Sequence, residues 1–400
     1  MTAARYLRRL ALAVLLLVAA LAGLNYNADP YGVWRYGLPG DSIKSRPAIR
    51  NQERLHKAHA VRLADADCLI LGNSRVVVGL DPNHPSLPEK SYNLGLSAAN
   101  IYECLRYLQH AAALKKPKLV LLAIDKGMFD ADSRPEVDFD EKRLAVAADG
   151  TPQPHWRRAD IPETLFSLDA LIDSIKTLRD KTGVKYKDGM RDEVLMKPYA
   201  NPAKVLAENE RWKDGSRKFA WADKSGKNAQ REAFVELINF CNGNGITLSV
   251  ITNPLHSEML NLEIGDAESF KRWMIWVGNV IHRPDYMLAR SWSFVPPEGR
   301  GWLGGKQPHF TNFYGFNPIS SEPFPSPEDR ESRMRNYWEI SHYRKAVGDL
   351  VIKRLDSIDE VFNGFQFGNK TPYGEENWAS IEKEWNDWKA GKIQPQAVTK

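Results

Sequence analysis

Three short aliphatic runs, each stopping abruptly on polar residues, constrain this chain more than any other feature. Cys68-Leu-Ile-Leu71 stops on Gly72-Asn73-Ser74-Arg75, and Leu119-Val-Leu-Leu-Ala-Ile124 stops on Asp125. Ile246-Thr-Leu-Ser-Val-Ile-Thr252 stops on Asn253-Pro-Leu-His256. The first two, without polar alternation, suit strands covered on both faces, as in parallel sheets, and the third is a strand rich in β-branched residues. Between them lie segments of helical period. One starts at Ser97 or Asn100 and runs to about Leu114. A second, 228–242, carries Phe234, Leu237, Ile238 and Cys241 before the Asn242-Gly-Asn-Gly245 stop. A third, 267–280, places Phe270, Trp273 and Val277 on one face, and a last one runs through Val347, Leu350, Val351 and Leu355. Ser291–Phe294 reads as a final strand. This alternation predicts an α/β fold: a doubly wound, flavodoxin-like parallel sheet with helices on both faces and ligands at the carboxyl ends of its strands.

The N-terminus sets the location. Arg5, Arg8 and Arg9 precede an uncharged apolar run from Leu10 to Leu24. Flanking residues extend it toward the roughly 20 residues that a bilayer requires. The pattern reads as a retained single-pass signal anchor of the inner (cytoplasmic) membrane, as a signal peptide cleaved after Ala22, or as a buried helix. In the first two cases the basic end stays inside and the main domain lies in the periplasm or extracytoplasmic space. The organisation expected is an anchor or signal over 1–27, a leader with an exposed amphipathic helix over 28–64, one elaborated α/β domain over 65–360 with a large insertion at 127–226, and an aromatic helical tail over 361–400. Helical stretches fall near 162–180 and 203–212 inside the insertion.

Of the 400 residues, 43% are hydrophobic and 26% charged, which suits a chain that folds. The net charge of +5 comes from charges of both signs spread along the sequence, without a basic block to track phosphates, so no nucleic-acid partner is expected. The odd number of cysteines, Cys68, Cys104 and Cys241, implies no disulfide framework. No histidine stands in a metal-ligand spacing, and neither a metal nor a cofactor is expected.

Ser74 sits where a strand turns, exposed toward a cleft at the sheet's carboxyl edge. It is either a nucleophile or the cap of the next segment. A serine hydroxyl needs a base to attack at neutral pH. His342 is the candidate, because Glu339, in Glu339-Ile-Ser-His342, can fold back onto its Nδ1–H and fix the tautomer. The alternative for Glu339 and His342 is an ion pair at a helix start.

Together these residues resemble the SGNH (GDSL-like) hydrolase superfamily. Gly72-Asn73-Ser74 matches its first block with Asn for Asp, Gly95 in Tyr92-Asn-Leu-Gly95 matches the second, and Glu339-Ile-Ser-His342 matches the last with Glu for Asp. The third block departs: the family has Asn, and Asp125-Lys-Gly-Met stands here. The chain is also similar to membrane-anchored SGNH-like proteins of exported polysaccharide O-acetylation, alginate among them, over about 65–360. The resemblance implies an acyl-enzyme on Ser74, with Ser74 and Gly95 amides as oxyanion donors and Asn100 or Asn253 supplying a third. It implies an esterase or O-acyltransferase acting on an envelope glycan, with a membrane-bound acyltransferase as a possible partner. The other implied reading is a non-catalytic glycan-binding or scaffolding subunit.

Three more features have two readings each. His256 is a locally bonded turn histidine or a substrate contact. Arg75 pairs with an acidic residue of the fold or holds a substrate carboxylate. Trp292, Trp302, Trp338 and the stretch Phe310 to Phe316 are loop anchors or sugar-stacking platforms. Trp378, Ile381, Trp385 and Trp388 recur at helical spacing, so the tail is expected to dock an aromatic face on the body or on a partner.

Overall fold

The aliphatic runs lie side by side in one sheet of five parallel strands, β1 (Cys68–Leu71), β2 (Ser91–Asn93), β3 (Leu119–Ile124), β4 (Thr247–Thr252) and β5 (His309–Thr311), in the order β2-β1-β3-β4-β5. The computed structural model describes residues 3–43, 45–180, 186–191, 196, 201–214, 219–282, 309–326, 328, 333–356 and 375–398. They fall into two compact units. The first comprises Met1–Asp65, Gln109–Leu114 and Val137–Tyr186, and the second Ala66–Leu108, Lys115–Glu136 and Lys187–Lys400.

In the first unit, α1 (Ala3–Ala28) contains an eighteen-residue stretch of mean hydropathy 2.1, none of it buried, so it is long and apolar enough to cross a membrane or to act as a signal. Its last turn is tied down: Asn25 Nδ2 donates to Leu165 O at 3.0 Å, and Asn25 Oδ1 accepts from Ser174 Oγ at 2.9 Å. Just beyond, the Asp29 carboxylate accepts from the backbone amides of Val33, Trp34, Arg35 and Tyr36.

Helix α2 (Glu53–Ala64) corrects the expectation of an exposed amphipathic helix, since every residue from Glu53 to Val61 is buried. Its charges find partners far away in sequence. Arg54 Nη1 meets Asp138 at 3.0 Å, His59 Nε2 meets Asp160 at 2.8 Å, and Glu53 accepts from Tyr186 OH at 3.0 Å. Burial pushes the His59 imidazole down despite Asp160, and lowers His56 to about 3, so these rings pack as neutral groups.

The second unit holds the sheet. Every residue of β1 and β3 is buried, as a strand covered on both faces requires. Cys68, Ile70, Leu119, Leu121, Ala123 and Ile251 share one core cluster with Val347, Val351, Ile352 and Leu355 of α11 (Lys345–Asp356). The remaining helices in this part of the chain are α3 (Ser74–Gly79), α7 (Pro202–Asp214), α8 (Ala229–Asn244), α9 (Ser257–Ile264), α10 (Ala267–His282) and α12 (Glu375–Lys389), while α5 (Ile161–Leu165) and α6 (Leu168–Arg179) belong to the first unit and α4 (Ile101–Leu114) is divided between the two after Leu108. The three cysteines are buried and free.

Two strands differ from the reading of the sequence. β2 is too short to show a pattern, and β5 runs into the aromatic stretch read as loop anchors or a sugar platform. Ser291–Phe294, Trp292 and Trp302 lie outside the described residues. Phe310, Phe313, Tyr314, Phe316 and Trp338 are all buried, so they fill the core and do not offer a platform to a sugar.

Helices α3 and α11 meet through glycines. A Cβ on Gly348 would stand 1.8 Å from the Gly79 carbonyl oxygen, and one on Gly79 would stand 2.0 Å from the Tyr343 ring. Backbone cannot yield as a flexible side chain does. Gly348→Ala is therefore expected to cost about 2–3 kcal/mol, seen as a lower thermal midpoint. An unchanged midpoint would show that the two helices can separate freely.

The aromatic tail docks on the second unit itself. Trp378 and Ile381 are buried, Phe316 lies 5.2 Å from Trp388 between ring centres, and Trp385 Nε1 donates to Asn261 at 2.9 Å. Glu384 Oε2 accepts from the Phe316 amide at 2.9 Å, yet burial outweighs that bond and raises its carboxyl to about 7. The folded chain thus holds a proton that the unfolded chain releases at lower pH. The resulting stabilisation is full below the ordinary carboxylate range and is lost as pH rises toward 7. Glu384→Gln should raise stability at pH 8 by on the order of 2 kcal/mol and change little at pH 5. Equal effects at both pH values in thermal melts would contradict this assignment.

Candidate active site

Ser74 is placed by the end of β1. Gly72 takes φ +151°, and a Cβ there would lie 2.7 Å from the Ala123 carbonyl oxygen and 2.5 Å from Val76, so only glycine lets β1 turn against β3 at this point. Asn73 is extended and caps α3, its Oδ1 accepting from the Arg75 amide at 3.1 Å. Ser74 is then the first residue of α3. Its backbone N–H has no acceptor among the described residues, as expected for a helix's opening turn. The structure therefore assigns the capping role to Asn73 and leaves the Ser74 hydroxyl to other partners.

The opposing wall is a closed loop at 336–344. Trp338 N donates to His342 O at 2.8 Å, Arg344 N donates to Asn336 O at 2.8 Å, and Tyr337 bridges Tyr343. The loop aims two side chains inward. His342 Nε2 lies 2.8 Å from Ser74 Oγ, and its Nδ1 is hydrogen-bonded to Glu339 Oε1. Glu339 Oε2 accepts the Ser341 amide at 2.7 Å. Burial alone would raise the Glu339 carboxyl, but His342, the Ser341 amide and Arg75 outweigh it and hold Glu339 below the usual carboxylate range. The imidazole keeps 17% of its side-chain surface exposed while Glu339 keeps 1%. The arrangement is a serine in hydrogen-bond reach of a base that a buried carboxylate orients.

Beneath the serine lies a buried polar hub that the sequence did not reveal. Asp125 Oδ2 accepts from Asn73 Nδ2 at 2.7 Å and Asn253 Nδ2 at 2.8 Å and pairs with Arg75 Nη1 at 2.7 Å, while Asp125 Oδ1 accepts from Tyr314 OH at 3.0 Å. Tyr343 OH donates to Asn253 Oδ1 at 3.0 Å. Arg75 also reaches across to the histidine loop, Nε donating to Ser341 O at 3.0 Å and Nη2 to Ser341 Oγ at 3.1 Å. Burial pulls the guanidinium down, but Asp125 and Glu263 more than reverse this, so Arg75 stays charged. Arg75 pairs with an acidic residue of the fold, and Asp125 links the ends of β1, β3 and β4.

The other residues singled out in the sequence are occupied elsewhere. The Gly95 amide donates to Asn93 Oδ1 at 3.1 Å, and Asn93 Nδ2 in turn bonds the carbonyls of Val76 in α3 and of Leu80 just after it. Asn100 and Glu103 form a reciprocal cap at the start of α4. Asn253 is held between Asp125 and Tyr343. His256 caps α9 through Nδ1, with Nε2 bonded to Glu322 O at 2.7 Å, and burial lowers it to about 4. Asn93, Tyr314 and Tyr343 were missed, since nothing local marks a residue whose partner comes from another segment, α3 for Asn93 and the ends of β3 and β4 for the two tyrosines. No family model matches the chain and no curated protein matches it, so what the site can do follows from its own geometry.

Proposed function

We propose that this chain is a serine esterase or O-acyltransferase of the SGNH type, acting on acyl esters of an envelope or exported glycan. The observation that carries the reading is the 2.8 Å contact of Ser74 Oγ with His342 Nε2, completed by Glu339 on Nδ1. The strand order supports it: in a doubly wound sheet the crevice opens at the carboxyl ends of β1 and β3, where the order reverses, and Ser74 follows β1 there.

The chemistry follows from these positions. Ser74 Oγ attacks the ester carbonyl carbon as its proton passes to His342 Nε2, and the resulting imidazolium is stabilised by Glu339. The oxyanion is received by the Ser74 amide. Collapse breaks the bond to the alcohol, which leaves with the proton from His342. Water or a sugar hydroxyl then gives its proton to His342 and attacks the acyl-serine, so hydrolysis and transfer share the first half-reaction. With α1 as a retained anchor whose basic end faces the cytoplasm, the site works on the outer side of the membrane, where a membrane-bound acyltransferase can supply the acyl group.

One observation favours a second reading, a non-catalytic glycan-binding subunit. The Gly95 amide is spent on Asn93, and an acceptor-only carboxylate stands at Asp125 where the resembled family has an amide donor. A fluorophosphonate probe separates the two. In the full-length chain in detergent, mass spectrometry is expected to find the adduct on Ser74, with loss of labelling in His342→Ala. An unlabelled Ser74 in folded protein that still binds glycan would favour the subunit reading.

A further inference from the structure

Helix α6 is built inside out for a protein surrounded only by water. The side it buries against the first unit is small and polar, Ala170, Ser174 and Thr177. The opposite side shows Leu168 at 69%, Ile172 at 51%, Ile175 at 38% and Leu178 at 53% exposure, with Phe166 at 47% just ahead of the helix. At the α-helical repeat these four aliphatic residues occupy one arc of about 120°, which also takes in Arg179 at its C-terminal end, with Lys176 and Asp169 on its flank. A helix at a water boundary turns such an arc inward.

The same helix is fastened to the end of the apolar α1, which packs on α5 and α6. Asn25, in the last turn of α1, donates to Leu165 O at 3.0 Å and accepts from Ser174 Oγ at 2.9 Å, and Tyr31 OH donates to Asp173 at 3.2 Å. Tyr26, beside Asn25, is 46% exposed, and a retained span would bring its ring to the headgroup level. α6 is thus held where α1 leaves its apolar stretch.

We infer that α6 is an interfacial membrane helix, its Leu168, Ile172, Ile175 and Leu178 face sunk into the acyl boundary of the bilayer that α1 spans. This rests on α1 being a retained span. The geometry matches the general form of such helices: an apolar arc, a polar opposite face, and Lys176 and Arg179 near the C-terminal end able to reach lipid phosphates. Its consequence is a second point of attachment, which fixes the first unit's orientation on the membrane where a single span would let it swivel.

The test uses the full-length chain in phosphatidylcholine–phosphatidylglycerol vesicles, with single cysteines introduced by Leu168→Cys, Ile172→Cys, Asp169→Cys and, in α1, Leu15→Cys, each spin-labelled. The native cysteines are buried. Collision with oxygen should exceed collision with a nickel chelate at 15, 168 and 172, and the ratio should invert at 169. Labels at 168 and 172 as open to nickel as the one at 169, with 15 in lipid, would overturn the inference while leaving the span intact. Labels at 168 and 172 shielded from both reagents in a cross-linkable dimer would overturn it in favour of a second copy of the chain. An aqueous label at 15 would remove the span and the inference with it. A folded chain in each variant is verified by its unchanged thermal midpoint in detergent.

Discussion

Ser74→Ala is expected to lower kcat for hydrolysis of p-nitrophenyl acetate by about 10⁴-fold or more, with the fold intact. The hydroxyl is partly exposed and its removal leaves no buried partner stranded, so the thermal midpoint should hold. His342→Ala should cost about as much, and the double variant no more than either, because nucleophile and base act as one unit. Glu339→Gln is the sharper test. Glu339 is held ionised by the Ser341 amide, His342 and Arg75, and it accepts the Nδ1 proton. The amide of glutamine can offer an N–H to Nδ1 in place of an acceptor, which moves the ring proton to Nε2. Nε2 then cannot accept from Ser74. A loss of about 10³–10⁴ in kcat, with KM little changed, is expected from the wrong tautomer. Independent, multiplicative losses, or a Ser74→Ala enzyme as fast as the parent, would sink the catalytic reading.

The parts of the fold that could be read in advance are those encoded locally. β1 and β3 announce themselves as unbroken apolar runs because both their faces are covered, β4 by its β-branched residues, and α8 because its period closes on the Gly245 stop. β2 and β5 carry too few residues for a period to form, and their pairing is decided by neighbours distant in sequence. The burial of α2 was illegible for a related reason: Arg54 and His59 look like surface residues until Asp138 and Asp160 arrive to pair with them. The candidate site divides in the same way. Glu339 and His342 share one loop, and Ser74 stands beside a glycine that only a tight turn needs, so their juxtaposition left a local trace. Asp125 left none. In the sequence it registers only as a missing asparagine, whereas in the structure its oxygens gather donors from Asn73, Asn253 and Tyr314 and the charge of Arg75.

That hub is where a substitution should do most damage to stability. Asp125→Asn restores the residue type of the resembled family, so a reading by motif alone would expect a better oxyanion site and a faster enzyme. The charges point the other way. Asparagine keeps one oxygen for the three donors now sharing Oδ2 and turns an NH₂ toward Tyr314, whose hydroxyl must rotate to accept. The greater damage falls on Arg75, whose buried guanidinium loses its nearest counter-charge, a change that costs about 3–5 kcal/mol when one partner of a buried pair is removed. Because Arg75 also bonds Ser341, the residue before His342, its displacement loosens the base from the serine as well. Asp125→Asn is therefore expected to be both less stable and slower, with the thermal or denaturant midpoint of the full-length chain in detergent reporting the first and p-nitrophenyl acetate turnover the second. Removing the stranded charge should recover much of the loss. Arg75→Met combined with Asp125→Asn is expected to be more stable than Asp125→Asn alone, with a coupling of about 0.5–3 kcal/mol, the range usual for residues in contact. Additive losses, or an Asp125→Asn chain as stable as the parent, would mean that Glu263 or solvent already neutralises Arg75 and that the hub is not held together by its charges.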